Sequence, residues 1–221
     1  MGKPNFYFTP DSPPCQAVTL VIKQLKLDVT YRPIDLEKNE HLTPEFLALN
    51  PLHQVPTLDD KGFIVGDSHA IIQYLATGSN LTSLDPHVLA RINQAMYFDT
   101  ELFRVMGEIG YSLYFETRTE PSQKAVAILY EKLGALEQYL LRRNWVAGEF
   151  LTIADFSIFA TFSAIYNCPI DLSKFESILK WYEKCKKIFI GYQSIKEDSK
   201  NALGNFLKSK GIKLELKTLD A

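Results

Sequence analysis

The chain has 221 residues, 46% of them apolar, and a formal net charge of −2, which suits one large or two small domains with a real core. No basic stripe or arginine-rich arm runs along it, which argues against a nucleic-acid partner, and no apolar run approaches the roughly 18 residues of a membrane span. Cys15, Cys168 and Cys185 form no close pair in sequence, which points to a reducing compartment rather than a disulfide framework.

The opening "MGKPNFYF" is too short and too polar for a signal peptide. Gly2 lacks the Ser or Thr at position 6 that would support myristoylation. The expectation is a soluble cytoplasmic protein. The lysines near the end are interrupted by acids and apolar residues and read as a solvated face.

In chain order, residues 4–9 read as a short strand. After "SPP", the run "CQAVTLVIKQLKL" places Ala17, Val18, Val21, Ile22 and Leu25 at helical spacing. Pro13 and Pro14 suit a first helical turn, where an amide hydrogen has no intrahelical partner. "VTYRPIDL" reads as a second strand, completing a βαβ unit that favours parallel pairing. "LTPEFLAL" is a short helix with Thr43 as N-cap and Pro44 as its first residue. "VPTL" and "GFIV" flank a "DDKG" turn and predict a hairpin. "DSHAIIQYLA" opens a helix with Asp67 or Ser68 as its cap. The resulting β-α-β-α-β-β-α order predicts a thioredoxin-like domain.

"TGSNLTSLDP" is rich in Gly, Ser, Asn and Pro and reads as a linker. The expected division is 1–78 for the first domain, 79–87 for the linker and 88–221 for an all-helical domain. There Leu89, Ile92, Met96, Phe103 and Met106 form one apolar stripe, and Ala125, Leu129, Leu133, Leu136 and Leu140 another. "LTIADFSIFATFSAIY" is apolar almost throughout and predicts a buried helix, with Thr152 and Asp155 spaced as a capping box. "SKFESILKWYEKCKK" predicts an amphipathic helix, and "ALGNFLKSKG" a short last one. The fold class is α/β plus all-α.

Four places can carry chemistry. A helix start after "SPP" stabilises an anion through its free amides and dipole. Ser12 there either caps the helix or donates to a docked thiolate, which would lower the thiol's pKa. "SPPC" resembles a C-x-x-C motif with its first cysteine replaced, so disulfide exchange is closed to it, and Cys15 reads as a small core residue. Tyr7 alternates with Phe6 and Phe8 and reads as a packed strand aromatic. In "HQVPTL", Pro56 marks either a cis bond that turns Val55 toward a ligand or an edge strand. In "DSHAI", Asp67 and Ser68 either cap the helix or hold the ammonium and carboxylate of an amino acid. His41 and His53 flank the second helix in loops and suit a carboxylate. His41, His53, His69 and His87 have no metal-ligand spacing, so no metal site is expected.

Taken together, "SPP", "HQVPTLDD", "DSHAI" and "LTIADFSI" closely resemble the cytosolic glutathione transferases over essentially the whole chain. "EHLTPEFLALNPLHQVPTL" and "DSHAIIQYL" look like the insect delta and epsilon classes, epsilon more than delta. The resemblance implies that glutathione is the co-substrate and that a hydrophobic electrophile is the second substrate, with no metal. It implies a homodimer that takes part in detoxification or acts on an endogenous hydrophobic compound. Ser12 would be the catalytic hydroxyl. Val55, ahead of cis Pro56, would pair with the cysteinyl backbone. Asp67 and Ser68, with His69 beside them and Asp99 from the first long helix, would hold the γ-glutamyl end. His41 and His53 would face the glycine carboxylate, with Gln54 near the tripeptide. Pro13, Met106, Glu108, Tyr111, Phe115 and Phe206 would line the pocket of the second substrate. Two departures stand out. Cys15 and Gln16 occupy positions where an aliphatic residue and Arg are common, and Glu108 puts an acid either in an apolar pocket or on a solvated helix face. A carrier that binds glutathione and a steroid or pigment is the alternative function, and a scaffold domain is a third.

Overall fold

The computed structural model describes residues 2–114 and 121–209, the side chains of 111–114, 199, 202–207 and 209 excepted. The first half is built on a four-stranded sheet: β1 (Asn5–Phe8), β2 (Thr30–Pro33), β3 (Thr57–Asp60) and β4 (Phe63–Gly66), in the order β2-β1-β3-β4. β1 runs parallel to β2 and antiparallel to β3, and β3 forms a hairpin with β4. The first pairing is the parallel one that a βαβ crossover dictates. Strand alternation buries Phe6 completely and turns Tyr7 to the other face, where its ring meets Phe46 edge-on at 5.9 Å.

Helix α1 (Pro13–Gln24) crosses between β1 and β2, and α2 (Pro44–Leu49) and α3 (Ser68–Leu75) complete the thioredoxin-like half. Thr43 caps α2, its side chain accepting from the Phe46 amide. Asp67 caps α3 by accepting from the amides of His69 and Ala70. α1 exceeds its predicted stripe, for every residue from Cys15 to Ile22 is buried. It is covered on several sides because it packs against both α3 and α6 (Ile153–Tyr166).

The helical half contains α4 (Pro86–Tyr114), α5 (Gln123–Leu140), α6, α7 (Glu176–Ile188) and α8 (Tyr192–Ser209). α4 begins on Pro86, so its first turn takes in the end of the Gly- and Ser-rich stretch expected as linker. α8 is much longer than the short terminal helix read from the sequence. Burial on α5 follows the predicted stripe residue for residue. α6 is buried over nearly its full length, and its N-terminus carries the expected capping box between Thr152 and Asp155. Around it Phe156, Phe159, Phe162, Trp181, Tyr182, Phe189 and Tyr192 stack and cross edge-on, contacts that add about 0.5–1.5 kcal/mol per pair beyond area burial. Among the described residues no helix is long and apolar enough to cross a membrane.

Candidate active site

A cavity of about 390 Å³ opens between the two halves, within the range of roughly 300–1,000 Å³ typical of small-molecule sites. Its base is the start of α1. Ser12 is the N-cap residue of that helix, yet its side chain makes no capping hydrogen bond. Pro14 has no amide hydrogen, so one of the two donors an N-cap oxygen normally reaches is missing, and the other, the Cys15 amide, is not engaged. The hydroxyl therefore lines the cavity at a helix N-terminus instead of being spent on the backbone.

Cys15, three residues on, is buried to 1%. Burial pushes its thiol up to about 12, against smaller opposing contributions from hydrogen bonds with Thr9 and Ser12. It is a neutral packing residue and supplies no thiolate. Tyr7 and Cys15 do not line the cavity.

One wall comes from the segment ahead of β3. His41, His53, Gln54, Val55 and Pro56 all line the cavity, and the Val55–Pro56 peptide bond is cis. The His41 and His53 rings lie 6.2 Å apart, centroid to centroid. His41 Nδ1 is buried without a hydrogen-bond partner among the described residues.

A second wall comes from the start of α3. Asp67, at φ 69°, caps the helix through Oδ1, which accepts from His69 N at 2.9 Å and Ala70 N at 3.1 Å. Asp67 thus caps α3 and also lines the cavity beside Ser68 and His69.

The helical half closes the site. Asp99 on α4 is only 4% exposed. Its Oδ2 accepts from Ser157 Oγ on α6 and lies 3.0 Å from His69 Nε2 on α3. Thr100 Oγ1 lies 3.4 Å from His69 Nδ1, so both ring nitrogens have neighbours. Asp99 Oδ1 is buried with no partner among the described residues. A buried carboxylate oxygen left bare costs free energy unless a donor arrives, and this one belongs to a residue that lines the cavity.

Of the expected glutathione contacts, His41, His53, Gln54, Val55, Pro56, Asp67, Ser68, His69 and Asp99 all come together here with Ser12 and Pro13. Sequence reading missed Thr100, Ser157 and Thr161 as cavity residues and placed Phe103 only in an apolar stripe. A signal was present: Ser157 and Thr161 are spaced i, i+4 on a largely apolar helix, and such a pair shares one face.

The expected pocket for the second substrate fares differently. Glu108 is not brought to the cavity. It sits on the exposed face of α4, with Oε1 accepting from Arg104 Nη1 at 2.6 Å. The i, i+4 spacing makes that pair local to the helix surface. Met106 packs, half-buried, against the hydrophobic core. Phe115 and the side chains of Tyr111 and Phe206 lie outside the described residues. Among the described residues no group of three or more His, Cys, Asp or Glu side chains could hold a metal ion.

The family description "Glutathione S-transferase, N-terminal domain" matches residues 6–82, and "Glutathione S-transferase, C-terminal domain" matches residues 102–187. Among curated proteins, glutathione S-transferase D7 of Anopheles gambiae is 32% identical over 215 residues, covering 94% of this chain and 98% of its own. Among solved structures, a delta-class glutathione transferase of Nilaparvata lugens is 36% identical with a TM-score of 0.87, covering 94% of this chain and 99% of that one. An epsilon-class enzyme of the housefly, Musca domestica, is 32% identical with a TM-score of 0.84, covering 96% and 100%. With both halves matched, and with relatives of this identity aligned end to end, the chain belongs to the glutathione S-transferase family, and its relatives are of the insect delta and epsilon classes.

Proposed function

We propose that the protein is a serine-type glutathione transferase that adds the glutathione sulfur to hydrophobic electrophiles. The observation that carries this is the Ser12 hydroxyl, not used in capping at the start of α1, in the same cavity as the buried acceptor of Asp99. The two features suit a ligand with a cation at one end and a thiol further along, as in a γ-glutamyl tripeptide.

The glutathione thiol gives up its proton to solvent water, and Ser12 Oγ donates a hydrogen bond to the resulting thiolate. Donation to the charged form, aided by the helix N-terminus, lowers the thiol pKa. The thiolate then attacks the electrophilic carbon, forming the C–S bond as the leaving group departs with its electron pair or the double bond takes up the charge. Asp67 and Asp99 hold the γ-glutamyl ammonium, with His69 beside them. Ser68 and the α3 amides hold its carboxylate. Val55 pairs its backbone with the cysteinyl residue as an added strand would. Gln54 and Pro56 flank the tripeptide, and His41 and His53 take the glycine carboxylate. Pro13 and Phe103 face the second substrate. Positioning of the two reactants supplies part of the rate. The enzyme works in the cytoplasm as a homodimer and serves detoxification or the turnover of an endogenous hydrophobic compound.

Ser12→Ala is the test. A hydrogen bond to a charged group contributes about 1.5–3 kcal/mol, so conjugation of chlorodinitrobenzene should fall about ten- to a hundredfold. Activity within twofold of wild type removes Ser12 from the mechanism. Glutathione binding without conjugation across a broad electrophile panel establishes a carrier instead.

A further inference from the structure

We infer that Gln16 is a positioning residue that sets the place of Ser12, an inference that rests on the Ser12 reading above. Gln16 lies in the first turns of α1, four residues after Ser12, and is 9% exposed. It does not line the cavity. Its side-chain Nε2 donates to the Pro10 carbonyl at 2.9 Å, while its backbone amide donates to the Ser12 carbonyl at 2.9 Å. One residue thus grips the β1–α1 loop on both sides of Asp11. On the outer side Thr9 Oγ1 donates to Asp11 Oδ1 at 2.9 Å, completing the brace.

The need for such a brace follows from the prolines. An N-cap side chain normally ties the incoming chain to the helix. Ser12 does not: Pro14 offers it no amide, and the Cys15 amide is left unengaged. The hydroxyl is free for a ligand only if something else holds the loop, and Gln16 does so from within the helix. Because the amide is buried, its loss leaves the Pro10 carbonyl with a weaker environment, and the loop relaxes at the point that aims Ser12 Oγ. Gln16 is also uncharged. It holds the loop by geometry, without adding a cation's field to the site as an arginine at this position would.

The test compares Gln16→Met, Gln16→Arg and Ser12→Ala in the full-length protein, with chlorodinitrobenzene as the electrophile. Gln16→Met keeps the length of the side chain and removes the donor. Its kcat should fall about three- to tenfold, with the KM for glutathione within twofold, because the residues proposed to hold the tripeptide are untouched. Its pH–kcat profile should move to the alkaline side, since a misplaced hydroxyl stabilises the thiolate less. Gln16→Arg restores a long donor and should return kcat to within twofold of wild type. Should Gln16→Met fail to fold, Gln16→Leu, likewise uncharged and without a donor, replaces it with the same expected alkaline shift. A donor-free variant with the wild-type kcat and pH profile overturns the inference. So does a Gln16→Arg variant as slow as Gln16→Met. If Ser12→Ala alone is harmless, the Ser12 reading fails first, and the two failures are told apart.

Discussion

At the scale of single residues, the site is decided by which polar atoms are left free. Ser12 spends no bond on capping the helix, Pro14 having removed one of the two amides it would reach. Cys15 is removed from the chemistry because burial keeps its thiol protonated up to about 12. Asp99 is the opposite case, an acid held in a buried position with one oxygen engaged by Ser157 and His69 and the other bare. Asp99→Asn keeps the size of the side chain and removes its charge. If the bare oxygen receives the γ-glutamyl ammonium, glutathione affinity should weaken about ten- to a hundredfold, the range of a charge-assisted hydrogen bond. Calorimetric titration with glutathione checks this, and affinity within twofold of wild type rules the contact out. Ser12, Val55 and Asp67 were legible as candidates because each sits at a punctuated position, a helix start or a proline. The bond between Ser157 and Asp99 was not, because it joins residues 58 apart in sequence.

At the scale of elements, α6 shows how a helix survives complete burial. Its sequence is apolar on every side, so its end groups must be satisfied within the protein. At its N-terminus the Ile153 amide donates to the Leu81 carbonyl, and Asp155 accepts from the Thr152 amide and hydroxyl as well as from the Val146 amide and Trp181 Nε1. Burial still outweighs these donors and raises the Asp155 carboxyl to about 6 from an ordinary 3.8. A folded-state pKa above the unfolded one means that the folded protein binds the extra proton. The group's contribution to stability is therefore full below about pH 4 and is lost as the pH rises through about 6, by roughly 3 kcal/mol for a shift of about two units. Thermal midpoints of wild type and Asp155→Asn, followed from pH 4 to 7.5, should show a downward slope in wild type that the variant lacks. Parallel curves would refute it. The capping box was readable from "LTIAD", since Thr and Asp three residues apart before an apolar run have few other uses. Trp181 and Val146 as further donors were not, because they arrive from other elements. The same limit explains α8, read from sequence as a short helix although it continues to Ser209 from Tyr192. The polar run over 196–201 separates Ile195 from the apolar positions further along, so the first half does not read as part of the same helix.

At the scale of the whole molecule, α1 is the link between the halves. Its N-terminus carries Ser12, its length packs on α3 and α6, and its last turn reaches the junction of α7 and α8. There Gln24 Oε1 accepts from the Ile190 amide at 3.0 Å, and the Lys23 side chain lies over Gly191. Gly191 has φ +86°, a conformation that other residues adopt at a cost of about 1–2 kcal/mol, and a Cβ there would also meet the Lys23 stem. Gly191→Ala should therefore lower the thermal midpoint by about 2–8 °C for a chain of this size, with the KM for glutathione unchanged because the junction is remote from the cavity. A midpoint within 1 °C (roughly the resolution of 0.3–0.5 kcal/mol) would show that the junction bears no strain.

By itself the sequence determined the local punctuation of this protein: where strands and helices start, which helix is buried, and which polar residues sit at helix starts with prolines beside them. These depend on neighbours within a few residues, so spacing and residue type suffice to state them. Only the tertiary structure decided which of those polar residues share a cavity, that Glu108 turns to Arg104 and solvent, that Asp99 meets Ser157 and His69, and that Gln16 braces the loop of Ser12. Each of these depends on the rotation of a helix about its axis and on the docking of one half against the other. Those are set by the packing of the core as a whole, which no short stretch of sequence encodes.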